Sequence, residues 1–258
     1  MMNFPPRESY NNTPPQTASD GRVAVNLPAK KPTVTYVIIG ITVLMYGIQF
    51  LSTSLSSNGI DWPFILGGKI NELILKGQIW RLFTPVLLHG SLLHIAFNMY
   101  ALYSLGSGLE RYYGHGKFLL LYMIGAFCGN SLSFVLSPNP SLGASTAVFG
   151  LVAAEGVFIY KNRKLFGAKA QMMLTNLLVI VVVNLLIGLQ PGIDNWGHVG
   201  GLIGGAVFAW VAGPILQVQQ TFTGFEMVDA QTNTNTVWGT LLSAGLFAAI
   251  VVGRFIVG

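Results

Sequence analysis

The sequence predicts an all-α, polytopic membrane bundle: a six-helix core followed by a seventh, C-terminal transmembrane helix. Three observations carry that expectation. Hydrophobic residues make up 52% of the 258 and charged residues 9%, a balance foreign to soluble domains and ordinary for membrane proteins. Apolar runs long enough to span a bilayer follow one another with short polar turns between them. The basic residues sit at the ends of these runs, where positive charge sets topology. A net charge of +5 scattered in this way implies a lipid bilayer as surroundings and no nucleic-acid partner.

Residues 1–33 hold six prolines among many Asn, Thr and Ser. Such a stretch cannot bury a core, so a disordered cytoplasmic tail is expected, with Lys30 and Lys31 holding it inside. The first membrane segment runs from about Val34 to Leu51. The connection from Ser52 to His89 interleaves Ile60, Trp62, Phe64, Ile70, Leu73 and Trp80 with Asp61, Lys69, Glu72, Lys76 and Arg81. It is too polar to span and too apolar to be free in water, and is expected to lie in the outer headgroup region, anchored by its tryptophans.

The second segment covers about Leu92 to Gly108, with Glu110, Arg111 and Lys117 in a short turn after it. The third runs from Phe118 to Leu136 and the fourth from Ser145 to Tyr160. Lys161, Arg163, Lys164 and Lys169 follow as the densest basic loop, expected on the cytoplasmic side. The fifth runs from Met172 to Leu189 and the sixth from His198 to Leu216, completing a core over 34–216. A polar linker over 217–236 leads to the seventh segment, within 237–258. With the N-terminus inside, segments two, four and six all run inward. His94, Ser145 and His198 then share a depth near the outer face. The compact tail points to a bacterial inner membrane.

Ser145 stands among small residues, Gly143-Ala144 before it and Thr146-Ala147 after it. Small flanks let a backbone approach its hydroxyl, and the free N–H groups of a helix N-terminus favour an oxyanion. Alone, such a run in a membrane helix is more often a packing face than a site. His198 is the candidate general base, since a serine hydroxyl attacks poorly until a base in contact takes its proton. Gly201 and Gly205 follow on the same helix face and let the sixth segment press on the fourth. His94 and Asn98, four apart on one face, offer two donors to a developing oxyanion; interhelical hydrogen bonding is the plainer reading of each. His89 lies five residues earlier, in the same region or at the interface. Glu155 falls inward of Ser145, with no partner evident in the sequence. Cys128, the single cysteine, forms no internal disulfide and reads as a buried inert thiol. No HExxH, GxGxxG or P-loop pattern occurs, so no metal and no cofactor is expected.

These residues together resemble the rhomboid family of intramembrane serine proteases. The matching features are Trp80-Arg81 in the first loop, His89, His94 and Asn98 around the second segment, Gly143-Ala144-Ser145 at the fourth, and His198, Gly201 and Gly205 in the sixth. Their order and spacing agree from about Trp62 to Leu216, and the seventh segment is similar to the form with one extra C-terminal helix. The resemblance implies a Ser145–His198 dyad with no acidic third member, and an oxyanion hole of His94, Asn98 and the Ser145 N–H. It implies His89, Gly143, Phe149 and Gly201 as lining of the active site, and single-span membrane proteins as substrates. One departure is that Phe149 stands where the family often has a tyrosine stacked on the histidine. A catalytically silent relative that binds membrane proteins would be signalled by loss of Ser145 or His198, and both are present. A transporter would call for paired broken helices or ion-relay carboxylates, and neither is evident. The sequence carries no signal for an oligomeric state.

Overall fold

The structure, a computed structural model, describes residues 25–26, 30–222 and 224–257. The tail expected to be disordered therefore lies mostly outside the described residues. The chain folds as α1 (Thr33–Leu55), α2 (Trp62–Gly67), α3 (Asn71–Leu75), α4 (Leu92–Ala101), α5 (Ser107–Leu136), α6 (Ser145–Lys161), α7 (Arg163–Phe166), α8 (Lys169–Ile187), α9 (Asn195–Ala212) and α10 (Asn233–Val257). Four stretches are long and apolar enough to cross a membrane by length and composition: Thr33–Leu55, Leu92–Leu136, Lys169–Ile187 and Asn233–Ile256.

α1 begins directly after Pro32 and has no side-chain cap of its own. The first N–H groups of a helix need partners from elsewhere. Glu110 supplies them from α5, taking the Val34 and Thr35 N–H groups at 2.8 Å each and the Thr35 hydroxyl at 2.7 Å. The sequence predicts that Glu110 lies in a turn after the second segment. Instead α4 continues through a π-helical turn (Leu102–Gly106) into α5, and the break comes at Gly114, with φ 73° and ψ 164°. There the chain reverses. Phe118 lies against Gly106, although twelve residues of unbroken helix would separate them by about 18 Å.

The connection between α1 and α4 is compact and built on side-chain caps. Asp61 accepts from the Phe64 N–H at the start of α2, and Gln49 in the C-terminal half of α1 donates to the same aspartate at 2.8 Å. Arg81 is buried and donates to the Gly68 and Ile65 carbonyls at 2.6 Å, closing the C-terminal end of α2. Trp80 donates to Leu66 O. The faces of Trp62 and Trp80 remain exposed.

α9 packs chiefly against α5 and α6, and α10 covers α5 and α9 from behind. Glycines permit the closeness. A methyl on Gly205 would lie 2.5 Å from Gly150 Cα, and one on Gly200 would lie 2.9 Å from Gly129 Cα. Where every neighbour is as apolar as lipid, such contact is the main cohesion available between helices. Cys128 is buried here, with its sulfur 3.7 Å from Ser243 O of α10.

The stretch read as a polar linker contains a hairpin. β2 (Leu216–Thr221) and β3 (Gly224–Asp229) pair antiparallel, and β1 (Val25–Asn26) joins β3 in parallel. Asp229 ends the hairpin by accepting from Lys117 at 2.9 Å and from the Ile215 and Gln231 N–H groups. The alternation of Phe225 and Met227 with Glu226 and Val228 carries a weak strand period, which the polarity of the stretch as a whole masks.

Candidate active site

Ser145 is the first residue of α6, and the turn before it is held from three directions. Lys69 pairs with Ser141 through both backbone groups, at 2.9 and 3.0 Å. Its ammonium is fully buried and donates to the Ser137 and Asn139 carbonyls at 3.0 and 2.8 Å. Burial pulls the Lys69 pKa down to about 8. Gly143 donates its N–H to Pro85 O at 2.9 Å. Its φ of +128° lies in the region that favours glycine, and a Cβ there would meet His94 Nε2 at 2.7 Å. Ala144 donates its N–H to His89 Nε2 at 3.4 Å.

His198 lies in the first turn of α9, which starts at Asn195 rather than at His198 itself. Its Nε2 is 3.0 Å from Ser145 Oγ, inside the range in which a base activates a hydroxyl. Phe149, one turn into α6, stacks on the imidazole with ring centroids 4.2 Å apart and planes 15° apart. The face that a tyrosine would offer is kept without its hydroxyl. His198 Nδ1 is buried and has no hydrogen-bond partner among the described residues.

Across a cavity of about 760 Å3 stand the two donors of α4. Ser91 caps this helix by accepting the His94 N–H. His94 Nδ1 accepts the Gly90 N–H at 3.4 Å, so its ring proton sits on Nε2, the atom nearest Gly143. Asn98 donates one amide hydrogen to His94 O at 3.0 Å, and the second has no partner among the described residues. His94, Asn98, Ser145, Phe149 and His198 all line the cavity, together with Asn184 and Ile187 of α8.

Three residues expected in the lining lie behind it. Gly201 faces the Thr146 backbone, where it brings α9 onto α6. Gly143 backs His94. His89 is buried beneath the serine turn, edge-on to His94 at 4.9 Å, and its own N–H donates to Gln49 Oε1 at 2.9 Å. Burial, with His94 beside it, draws the His89 pKa down to about 3. His89 is thus a neutral acceptor for Ala144 and props the serine turn from below. Glu155 lies on α6 with one carboxylate oxygen lacking a partner among the described residues.

Sequence reasoning passed over Gln49, Lys69 and Asp194. The signal for Gln49 was available, because an amide inside an apolar span marks an interior face. Asp194 precedes Gly197 by three and caps α9 through that N–H at 3.0 Å, a helix-start pattern readable in sequence. Lys69 carried no such signal, since its partners lie 68 and 70 residues away.

A family model described as "Rhomboid domain" matches residues 76–215. Among curated proteins, the chain is 44% identical over 176 residues to "Rhomboid protease GluP" of Bacillus subtilis (strain 168), covering 68% of this chain and 34% of that protein. It is 32% identical over 202 residues to "Rhomboid protease AarA" of Providencia stuartii, covering 69% of this chain and 70% of that one. It is also 32% identical over 160 residues to "RHOMBOID-like protein 9, chloroplastic" of Arabidopsis thaliana, covering 62% of this chain and 37% of that protein. The chain thus spans about a third of the length of GluP and of the chloroplastic relative. The protein is a helical integral membrane protein, and the chain belongs to the rhomboid family.

Proposed function

We propose that this protein is an intramembrane serine endopeptidase that hydrolyses peptide bonds in or near the transmembrane segments of membrane proteins. The observation that carries this reading is the 3.0 Å contact between His198 Nε2 and Ser145 Oγ at the floor of an open cavity. His198 takes the hydroxyl proton as Ser145 Oγ attacks the scissile carbonyl carbon. The oxyanion that forms faces His94 Nε2–H, the free Asn98 amide hydrogen and the Ser145 N–H. Collapse of the intermediate breaks the C–N bond, and His198 hands its proton to the leaving amine. Water then enters from the cavity and its oxygen attacks the acyl carbon as His198 takes its proton; the bond to Ser145 Oγ breaks as His198 returns that proton to the serine, and the acyl group leaves as a carboxylic acid. A substrate helix in lipid has its backbone bonds closed internally, so it must unwind before attack. A cavity open to water gives the freed N–H and C=O groups partners.

The core of this enzyme spans 34–216, and α10 is the extra transmembrane helix, which makes seven spans. The N-terminus lies in the cytoplasm of a bacterial cell, and the site faces the outer leaflet of the inner membrane. Lys161, Arg163, Lys164 and Lys169 around α7, at the end of α6 remote from Ser145, support that orientation. The exposed faces of Trp62 and Trp80 support a first loop resting in the headgroup layer.

The test is cleavage of a purified single-span substrate in liposomes. Wild type is expected to cut it, and Ser145→Ala, folded to the same thermal stability, is expected to leave it whole. Cleavage by Ser145→Ala at the wild-type rate contradicts the proposal.

A further inference from the structure

The imidazole of His198 has few restraints of its own. Phe149 fixes the plane of the ring, but a stacked ring slides and turns within its plane at little cost. Nδ1 has no partner among the described residues. The direction in which Nε2 points is therefore set by the backbone of the first turn of α9.

One side chain governs that turn. Asp194 Oδ1 accepts the Gly197 N–H at 3.0 Å, and its backbone carbonyl accepts the His198 N–H at 3.2 Å. Its other carboxylate oxygen, Oδ2, accepts the hydroxyl hydrogen of Ser133 on α5. Ser133 is fully buried, and it lies one turn before Ser137, whose carbonyl Lys69 holds. Gly197 is pressed between this carboxylate and Thr146, the neighbour of Ser145. A single carboxylate thus ties the base-bearing turn to α5, beside the start of the serine helix. Asp194 also forms part of the cavity wall.

We infer that Asp194 is a positioning residue for the reaction: by capping α9 and anchoring it to Ser133 it holds His198 Nε2 on Ser145 Oγ. This rests on the serine-hydrolase reading of the dyad. Asparagine at this place keeps both contacts, because its carbonyl accepts from Gly197 and its amide donates to the Ser133 oxygen. Alanine loses both.

The experiment compares wild type, Asp194→Ala, Asp194→Asn and Ser133→Ala in detergent. The readout is the second-order rate of labelling by a fluorophosphonate probe, with thermal melting run in parallel. Asp194→Ala is expected to label about 10- to 100-fold more slowly, as displacement of a catalytic group by about 1 Å does. Asp194→Asn, as good a helix cap, is expected within about threefold of wild type. Ser133→Ala is expected to fall between the two. Labelling of Asp194→Ala at the wild-type rate overturns the inference. So does a folded Asp194→Asn as slow as the alanine variant, which would assign the effect to charge. If Asp194→Ala does not fold, Ser133→Ala decides: slowed labelling supports the inference and an unchanged rate overturns it. A wild type that takes no label refutes the hydrolase reading, and this role with it; a labelled wild type with an unimpaired Asp194→Ala refutes this role alone.

Discussion

α8 and α9 border the same cavity and are both apolar, yet they are built for opposite surroundings. α8 is a run of Leu, Ile and Val whose side chains point outward; Ala170 is its one buried residue. α9 has five glycines, all of them buried, and lies against α5, α6 and α10. In water the larger side chains would be the ones inside. In lipid, burial of a large apolar side chain gains nothing, and close contact is what holds helices together, so the small residues go inside. α9 holds His198 in a fixed seam. α8 supplies a thinly attached wall through Asn184 and Ile187.

The sharpest form of this contrast is chemical. His198→Ala on α9 is expected to lower the turnover number by about 10⁶-fold, as loss of the base does in subtilisin. Asn184→Ala, across the cavity on α8, is expected to stay within about threefold, because its amide donates to Ile180 O of its own helix. Turnover by both variants, measured on one substrate, checks the pair. A large loss in Asn184→Ala would break the contrast.

A packing test comes next. Gly201→Leu drives a side chain into the Thr146 backbone, and overpacking of that kind costs about 1–3 kcal/mol or more. Its melting temperature and probe labelling should both fall. Val182→Ala on α8, exposed to lipid, should shift stability by no more than about 0.5 kcal/mol. Asn98 of α4 lines the same cavity. Asn98→Ala is expected to slow turnover by about 10²-fold with little change in KM, the usual effect of one lost donor. An unchanged rate removes Asn98 from that role.

A further expected effect concerns the clamp on the serine turn. The pKa of Lys69 is about 8 in the folded protein against 10.5 ordinarily. Between those values the unfolded chain binds more protons than the folded one, so stability should rise with pH across that window. The penalty of burying the charge is complete below pH about 8 and relieved above about 10.5. In Lys69→Met the rise attributable to this group should vanish, which melting curves at pH 7.5 and pH 10 would read, at about those values.

Much of this arrangement was legible in the sequence because lipid makes polar residues conspicuous. His94, Asn98, Ser145 and His198 stood out as the few polar groups near one end of apolar runs, and the structure brings them to one cavity. The glycines of α9 gave the close seam. What stayed hidden depended on distant partners. Glu110 caps α1 from 75 and 76 residues away, and nothing near it in sequence announces that role. His89 was expected beside the cavity and proved to be a buried prop, because its ring is claimed by a backbone N–H 55 residues later. The hairpin from Leu216 to Asp229 was read as linker, since half of its alternation is polar on both faces. The chain reverses at Gly114, inside the turn expected between Gly108 and Phe118, but Glu110 and Arg111 are helical there, and the Glu110 carboxylate caps a neighbouring helix.

The central claim is that Ser145 is a nucleophile activated by His198. Its most direct measurement is mass-spectrometric mapping of the fluorophosphonate adduct on the intact, folded protein. The expected result is one adduct, on Ser145, which His198→Ala fails to form while still melting like wild type. An adduct on any other residue, or equal labelling of Ser145 in His198→Ala, would contradict it.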